Sequence, residues 1–141
     1  MILNLTQHTA TADQVAAGVQ NLTTSEWQAV KSLLTFDSPP ADGREIVARA
    51  RDIALIAATA LGGDDGDIHP EKAMIGGAPW LMPSLELALI EHGIMPVYAF
   101  SQRKAVEKIV DGVSVKTSEF VHVGFITPPS VEGEDAWIDQ A

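Results

Sequence analysis

Ala73-Met74-Ile75-Gly76-Gly77-Ala78-Pro79 decides the fold, because an apolar run here stops at two glycines and a proline. The run from Ala73 to Ile75 predicts a short buried strand. A helix tolerates proline in its first turn, where the missing N–H is not needed, so Pro79 predicts the start of a helix. Apolar residues then cover most of a helical face from Trp80 to Ile90, and His92-Gly93 predicts the helix end.

A second strand completes a strand, helix, strand unit. Met95 to Phe100 is apolar, with Pro96 at its entrance, and the polar residues Ser101-Gln102-Arg103 follow. Such a unit joins parallel strands by a right-handed crossover. Glycines let backbone approach a ligand closely, and the free N–H groups of a helix start at Pro79 to Met82 favour an anion. A purely structural Gly-Gly turn is an equal alternative.

Composition excludes several classes of function. With 141 residues, 46% of them hydrophobic, the chain is predicted to form one packed domain. Its formal net charge of −10 argues against general binding to DNA, RNA or an anionic membrane. The absence of cysteine excludes disulfides, thiolate metal ligands and cysteine catalysis. Neither a signal peptide nor a membrane span is evident, which predicts a cytoplasmic protein.

The N-terminal region predicts a strand followed by a helix. Residues from Ile2 to Thr6 alternate between apolar and polar, which is typical of a strand, and this strand ends in Gln7-His8. Thr11-Ala12-Asp13-Gln14 matches a capping box and predicts a short helix from Gln14 to about Val19.

Two further helices and an acidic loop are predicted next. Thr23-Thr24-Ser25-Glu26 is a second capping box, and its helix should end before Ser38. Asp42-Gly43-Arg44-Glu45 opens the longest helix, which Gly62-Gly63 closes. The loop from Asp64 to Glu71 is acidic, but its spacing does not fit a calcium-binding loop. We therefore predict a solvated loop, and neither a metal site nor a cofactor.

The C-terminal part predicts antiparallel strands. Asp111-Gly112 favours a two-residue hairpin turn between Lys104 to Val110 and Val113 to Ser118. Phe120 to Ile126 reads as a separate final strand. Residues 1–128 are thus predicted to form a single α/β domain, a Rossmann-like three-layer sandwich with a mostly parallel core sheet plus a C-terminal antiparallel hairpin. Residues 129–141 are predicted to form an acidic, flexible tail, with docking of its Trp137 and Ile138 as the alternative.

A ligand site is predicted at the carboxyl ends of the parallel strands, where such sheets bind their ligands. Arginine suits bidentate phosphate contact and histidine titrates near neutral pH, so this edge suits a phosphate or nucleotide. The candidate ligand-binding residues are Asn4, Gln7, Gly76, Gly77, Ala78, Ser101, Gln102 and Arg103, and the candidate catalytic residues are His8 and Thr6. The alternatives are that His8 only ends a strand, that Arg103 pairs with Glu107, and that Asn4 only caps a turn.

Two parts of the sequence resemble a known family. The opening from Ile2 to Gln14, Ile-Leu-Asn-Leu-Thr-Gln-His-Thr-Ala-Thr-Ala-Asp-Gln, resembles the start of small CARF-like (CRISPR-associated Rossmann fold) proteins. Gly76-Gly77-Ala78-Pro79 and Ala99-Phe100-Ser101-Gln102-Arg103 resemble the positions where that fold lines its ligand groove. The sequence is also similar to short phage and prophage proteins, a resemblance that implies no activity.

The CARF-like resemblance implies a homodimer that binds a cyclic oligoadenylate across its twofold axis, sometimes with slow cleavage by the ligand's own 2′-hydroxyl. The chain is predicted to associate with itself as a homodimer or higher oligomer. It places Thr6 and His8 near the ribose or scissile phosphate, Gly76 and Gly77 against phosphate, and Arg103 as the charge clamp. Three functions remain open: a nucleotide-binding sensor or sponge, a ring-nuclease-like enzyme, and a non-catalytic oligomeric interaction protein.

Overall fold

The computed structural model describes residues 1–62, 71–129 and 138–139, and helices alternate with strands along most of the chain. The elements are β1 (Ile2–Asn4), α1 (Ala12–Ala16), β2 (Val19–Asn21), α2 (Thr24–Leu34), α3 (Gly43–Ala60), β3 (Glu71–Met74), α4 (Met82–Glu91), β4 (Ile94–Val110), β5 (Val113–Ile126) and β6 (Ile138–Asp139).

The strands form one mixed sheet in the order β2-β1-β3-β4-β5-β6. Strands β2, β1, β3 and β4 pair with their neighbours in parallel, and β5 pairs antiparallel with both β4 and β6. The chain runs from β1 to β2 on one side and then returns to place β3 on the other side of β1. The strand order therefore reverses between β1 and β3. The predicted α/β class, with a mostly parallel sheet and an antiparallel C-terminal hairpin, is confirmed.

Helices cover both faces of the sheet. Successive strand residues point to opposite faces, so Leu3 and Ile75 pack with α2, α3 and α4, whereas Ile2 and Met74 belong to a second cluster. Ala10 and Ala17, on either side of α1, pack on that second cluster. Among the described residues the three layers are therefore unequal, with three helices on one face and the short α1 on the other.

Side-chain caps begin the first three helices. Thr11 and Thr23 each form a complete capping box with the residue three positions on, as predicted. Asp42 caps α3 by accepting a hydrogen bond of 2.8 Å from the Arg44 N–H. Arg44 also holds the pKa of the Asp42 carboxyl below its usual value, because the guanidinium donates hydrogen bonds to it.

The first helix is shorter than predicted. The prediction that it continues to Val19 was wrong, because α1 ends at Ala16 and Gly18 turns the chain with a φ of +102°. Val19 then begins β2, an edge strand that pairs with β1, and its side chain is buried. Burial of Val19 against the sheet outweighs continuation of a short helix.

The helix after the glycine turn also begins later than predicted. α4 starts at Met82 rather than at Pro79, and Pro83 takes the early helical position that tolerates proline. The Leu81 N–H donates to the Ala78 carbonyl at 3.0 Å, so residues 79–81 form a turn that precedes the helix.

The hairpin turn is confirmed, but its strands are much longer than predicted. Asp111 and Gly112 have φ angles of +51° and +77°, as expected for this kind of two-residue turn. β4 continues without interruption from Ile94 to Val110, with one irregularity between Phe100 and Ser101. The predicted third core strand and the first hairpin strand are therefore one strand.

Residues 101–120, which we call the arm, form a two-stranded ribbon beyond the helical layers. All of them are exposed except the half-buried Val106. Two residues of the predicted tail return to the sheet, where Ile138 of β6 pairs with Ile126 of β5. The predictions for the acidic loop before Glu71, and for Trp137 and the rest of the tail from residue 130, lie outside the described residues.

Candidate functional site

A cleft of about 540 Å³ opens at the carboxyl ends of β1 and β3, beside Tyr98 and Ala99 of β4. It lies where the strand order reverses between β1 and β3, so loops that leave the sheet in different directions form its walls. The loop after β1, the glycine turn after β3 and the last buried part of β4 supply its lining, which consists of Thr6, Gln7, His8, Thr9, Thr11, Gln14, Met74, Ile75, Gly76, Gly77, Tyr98 and Ala99.

Asn4 holds the loop that carries the first wall. Its carboxamide is buried, and the Nδ2 donates to the His8 carbonyl at 2.8 Å and to the Asn21 Oδ1 at 2.9 Å. Its Oδ1 accepts from the Thr6 N–H at 2.9 Å and the Thr6 hydroxyl at 2.7 Å. Because both donors and both acceptor positions are occupied, Asn4 shapes the loop beneath the cleft and has no group left for a ligand.

Thr6 and His8, the two candidate catalytic residues, both line the cleft but differ in their bonding. The Thr6 hydroxyl donates to Asn4, and no basic side chain contacts it within the described residues. It is therefore not set up as a nucleophile. The His8 imidazole is exposed and makes no hydrogen bond in the described part of the chain, so both ring nitrogens are available to a ligand.

Gln7 lines the cleft close to α2. Its Nε2 donates to the Thr35 hydroxyl at 3.3 Å, a long bond that a ligand could replace at little cost.

The glycine turn brings backbone into the cleft. Gly77 has a φ of +145°, a conformation that other residues rarely adopt, so the turn requires glycine here. Gly76 lies against Thr6, and a Cβ at Gly76 would lie 3.7 Å from the Thr6 Cγ2. The two walls of the cleft therefore meet through Thr6 and Gly76.

The helix start near this turn is a weaker anion site than the sequence predicts. Pro79 and Pro83 have no N–H, and the Leu81 N–H is bonded to the Ala78 carbonyl. Ala78, a candidate ligand residue, is half-buried against the main core and does not belong to the cleft lining. The residues of this region that line the cleft are Gly76 and Gly77, so the donors they offer a ligand are backbone N–H groups.

Tyr98 is a cleft residue that the sequence analysis did not select. Its hydroxyl donates to the Glu86 Oε2 at 2.6 Å, which fixes the ring between β4 and α4. Burial, and then the hydrogen bond and charge of Glu86, raise the pKa of Tyr98 well above its usual value. The signal that could have found it is a polar group near the carboxyl end of an otherwise apolar strand.

The remaining three candidate residues do not reach the cleft. Ser101, Gln102 and Arg103 belong to the arm, because β4 does not end at Phe100 as predicted. The Arg103 guanidinium lies 5.1 Å from the ring of Phe120, its partner in the hairpin register. Arg103 is therefore engaged with an aromatic ring, rather than with Glu107 or with a cleft ligand.

The cleft carries almost no charge. Its lining includes no lysine, arginine, aspartate or glutamate. Across residues 1–62, 71–129 and 138–139, no three histidine, aspartate or glutamate side chains cluster in a way that could hold a metal ion. No helix within those ranges is both long and apolar enough to cross a membrane.

The fold and the cleft define an α/β protein with an open, mostly parallel sheet and a ligand-sized opening where its strand order reverses. The chain belongs to the family described as the uncharacterized protein MJ1673 family, whose model matches residues 1–126 and so includes the cleft and the arm. No curated protein and no solved structure matches the chain.

Proposed function

We propose that this protein binds a small phosphate-containing ligand, a nucleotide or cyclic oligonucleotide, in the cleft and acts as a sensor or sponge for it. The observation that carries the proposal is the position of the cleft between β1 and β3. Open parallel sheets bind their ligands at the point where strand order reverses. The cleft volume of about 540 Å³ lies within the usual range for small-molecule sites.

The lining suits the two halves of a nucleotide. The glycine turn, Gln14 and the His8 imidazole supply donors for phosphate oxygens, whereas the half-buried Tyr98 and the exposed Ala99 supply apolar surface for a base. Because no lysine or arginine lines the cleft, a buried phosphate with two charges would lack compensation there. A phosphodiester, with one charge, fits better than a triphosphate, and this favours a cyclic nucleotide.

Slow cleavage is the second candidate function, and the free His8 imidazole favours it. In such a reaction the ligand's 2′-hydroxyl would lose its proton to His8 as its oxygen attacks the adjacent phosphorus. The bond from phosphorus to the 5′-oxygen would break, this oxygen would take a proton from water, His8 would return its proton to the solvent, and a 2′,3′-cyclic phosphate would remain. Thr6 would contact the ligand without acting as a nucleophile.

A thermal-shift screen tests the proposal directly. Purified protein is heated with cyclic tri-, tetra- and hexa-adenylate, cyclic di-AMP, cyclic AMP, AMP or ATP, and each stabilising ligand is then examined by chromatography. A ligand at about 100 times its dissociation constant should stabilise the fold by roughly 2.7 kcal/mol. Intact ligand supports a sensor or sponge, whereas new products that disappear with His8→Ala support the enzyme.

Two glycine variants provide a matched control. Gly76→Ala places a methyl group at the contact with Thr6 and should weaken binding, while Gly43→Ala, at the start of α3 with open space around it, should not. If no ligand of the panel raises the melting temperature, the binding proposal is rejected and a non-catalytic interaction protein becomes the better interpretation.

A further inference from the structure

The arm exposes a long free strand edge. β4 pairs with β3 only from Ile94 to Val97, and within the described residues no strand lies on that side of β4 from Tyr98 to Val110. The unpaired N–H and C=O groups of such an edge are a template for another strand. A two-stranded ribbon is at best marginally stable in water when nothing pairs with it.

Charge distinguishes the arm from the rest of the chain. Residues 101–120 contain four lysines or arginines and three acids, a net charge of +1, whereas the five bases and sixteen acids elsewhere give −11. The parts of two copies that lie outside the arms are both acidic and repel each other. Contact between copies is therefore least costly through the arms. An antiparallel pair of arms would also place the acidic remainders of the two copies at opposite ends of the paired arms, far from each other.

The sequence of the β4 edge restricts how two copies could pair. In a two-fold antiparallel pairing, one residue faces its own copy on the axis, and residues equally distant from it on either side face each other. An axis at Val106 would place Lys104 opposite Lys108. Four other axis positions in this segment would place a charged residue opposite its own copy, and these are Arg103, Lys104, Glu107 and Lys108.

An axis at Ala105 avoids every such conflict. It places Arg103 opposite Glu107 twice, once on each side of the axis, and opposite charges at facing positions stabilise a strand pair. Both side chains are exposed and so can reach a neighbouring strand. The β5 edge offers no equivalent, because an axis at Thr117 or Ser118 creates no pair of opposite charges.

We propose that two copies of this chain pair through the β4 edges of their arms, with the two-fold axis at Ala105. The four arm strands then form one antiparallel sheet. Pairing from Phe100 to Val110 supplies about ten backbone hydrogen bonds, the number found in a typical protein interface. Reciprocal Arg103 to Glu107 contacts fix the register. This inference concerns a second copy of the chain and is independent of any cleft ligand.

Charge reversal and its rescue test the pairing. The full chain is measured by light scattering after gel filtration and by sedimentation equilibrium, with circular dichroism to verify folding. Wild type should be a dimer. Arg103→Glu and Glu107→Arg should each weaken the dimer at least about tenfold, because each places like charges opposite each other twice. The double variant R103E/E107R should return to within about threefold of wild type, since the pairs are restored in reverse.

A second pair of variants separates the β4 edge from the rest of the arm. Ala105→Arg brings two guanidinium groups together on the axis and should give a monomer. Ser118→Arg adds the same side chain to the residue facing Ala105 across the hairpin and should leave the dimer intact. A wild-type monomer at about 100 μM, or a dimer equally tight in all these variants, would overturn the proposal.

Discussion

The cleft and the arm share strand β4 but use polar side chains in opposite ways. Beneath the cleft the amide of Asn4 is buried, and all its hydrogen-bonding positions are occupied by neighbouring groups of the chain. In the arm the charged side chains are exposed, and Arg103 contacts a ring rather than a carboxylate. Buried polar groups therefore fix the shape of one region, whereas exposed charges determine what the other can contact.

Removing the buried amide should have the largest effect. Asn4→Ala deletes four hydrogen bonds and leaves the Thr6 N–H without its acceptor, whereas the Asn21 Oδ1 keeps the hydrogen bond from the Ala10 N–H. The free energy of unfolding should fall by about 3 kcal/mol. Urea denaturation measures this, with Gln20→Ala as the control because Gln20 is an exposed amide in the neighbouring strand. A loss no larger than the control's would mean that Asn4 does not hold the loop.

The two glycines of the turn should differ in their tolerance of a side chain. Gly77→Ala should cost about 2 kcal/mol, because alanine is strained at a positive φ of this kind. Gly76→Ala should cost less than about 0.5 kcal/mol, since its φ is ordinary and the new methyl makes only normal van der Waals contact. Melting temperatures of both variants check the difference, and equal destabilisation would contradict it.

Tyr98 should link stability to alkaline pH. At pH 8, Tyr98→Phe loses the bond to Glu86 and should cost about 1 kcal/mol. The pKa of Tyr98 is raised above its ordinary 10.0 in the folded state, so above pH 10 the unfolded chain releases this proton first. The free energy of unfolding of the wild type should therefore decrease as the pH rises above 10, and that of the Tyr98→Phe variant should decrease less. Urea denaturation between pH 8 and 11 tests this, and parallel curves would exclude the linkage.

The smallest effect is expected in the arm. Val113→Thr should change the free energy of unfolding by less than about 0.5 kcal/mol, because Val113 is 63% exposed beside the hairpin turn. The same substitution at Val97, which is 1% exposed in the core part of β4, should cost about 2 kcal/mol because it buries a hydroxyl. Chemical denaturation measures both variants. Similar losses of unfolding free energy at Val113 and Val97 would mean that the arm is as tightly packed as the core.

Much of the fold could be predicted from local patterns in the sequence. The capping boxes at Thr11 and Thr23, the glycine turn and the Asp111-Gly112 hairpin each depend on residues close together in the chain. The missed elements depend on distant ones. β2 has only three residues, one of them buried, so it shows no alternation, and only its pairing with β1 makes it a strand.

The candidate site was predicted in part, for a related reason. Residues that follow β1 and β3 do line the cleft, because those strands end in recognisable turns. The error lay at Ser101, Gln102 and Arg103, whose polarity suggested a loop. A ribbon with water on both faces needs no alternation of apolar and polar residues, so its strands cannot be distinguished from a loop by hydrophobic pattern.

The strand order has a kinetic consequence. The two strands of the arm are joined by a two-residue turn, so their contacts are close in sequence. The two walls of the cleft meet only when β1 pairs with β3, which brings Ile2 beside Lys72. Contacts between such distant residues form slowly, since a long loop must close first. The cleft is therefore expected to be completed late in folding. A ligand that binds there should slow unfolding and leave the folding rate unchanged, which stopped-flow measurements with and without ligand can determine.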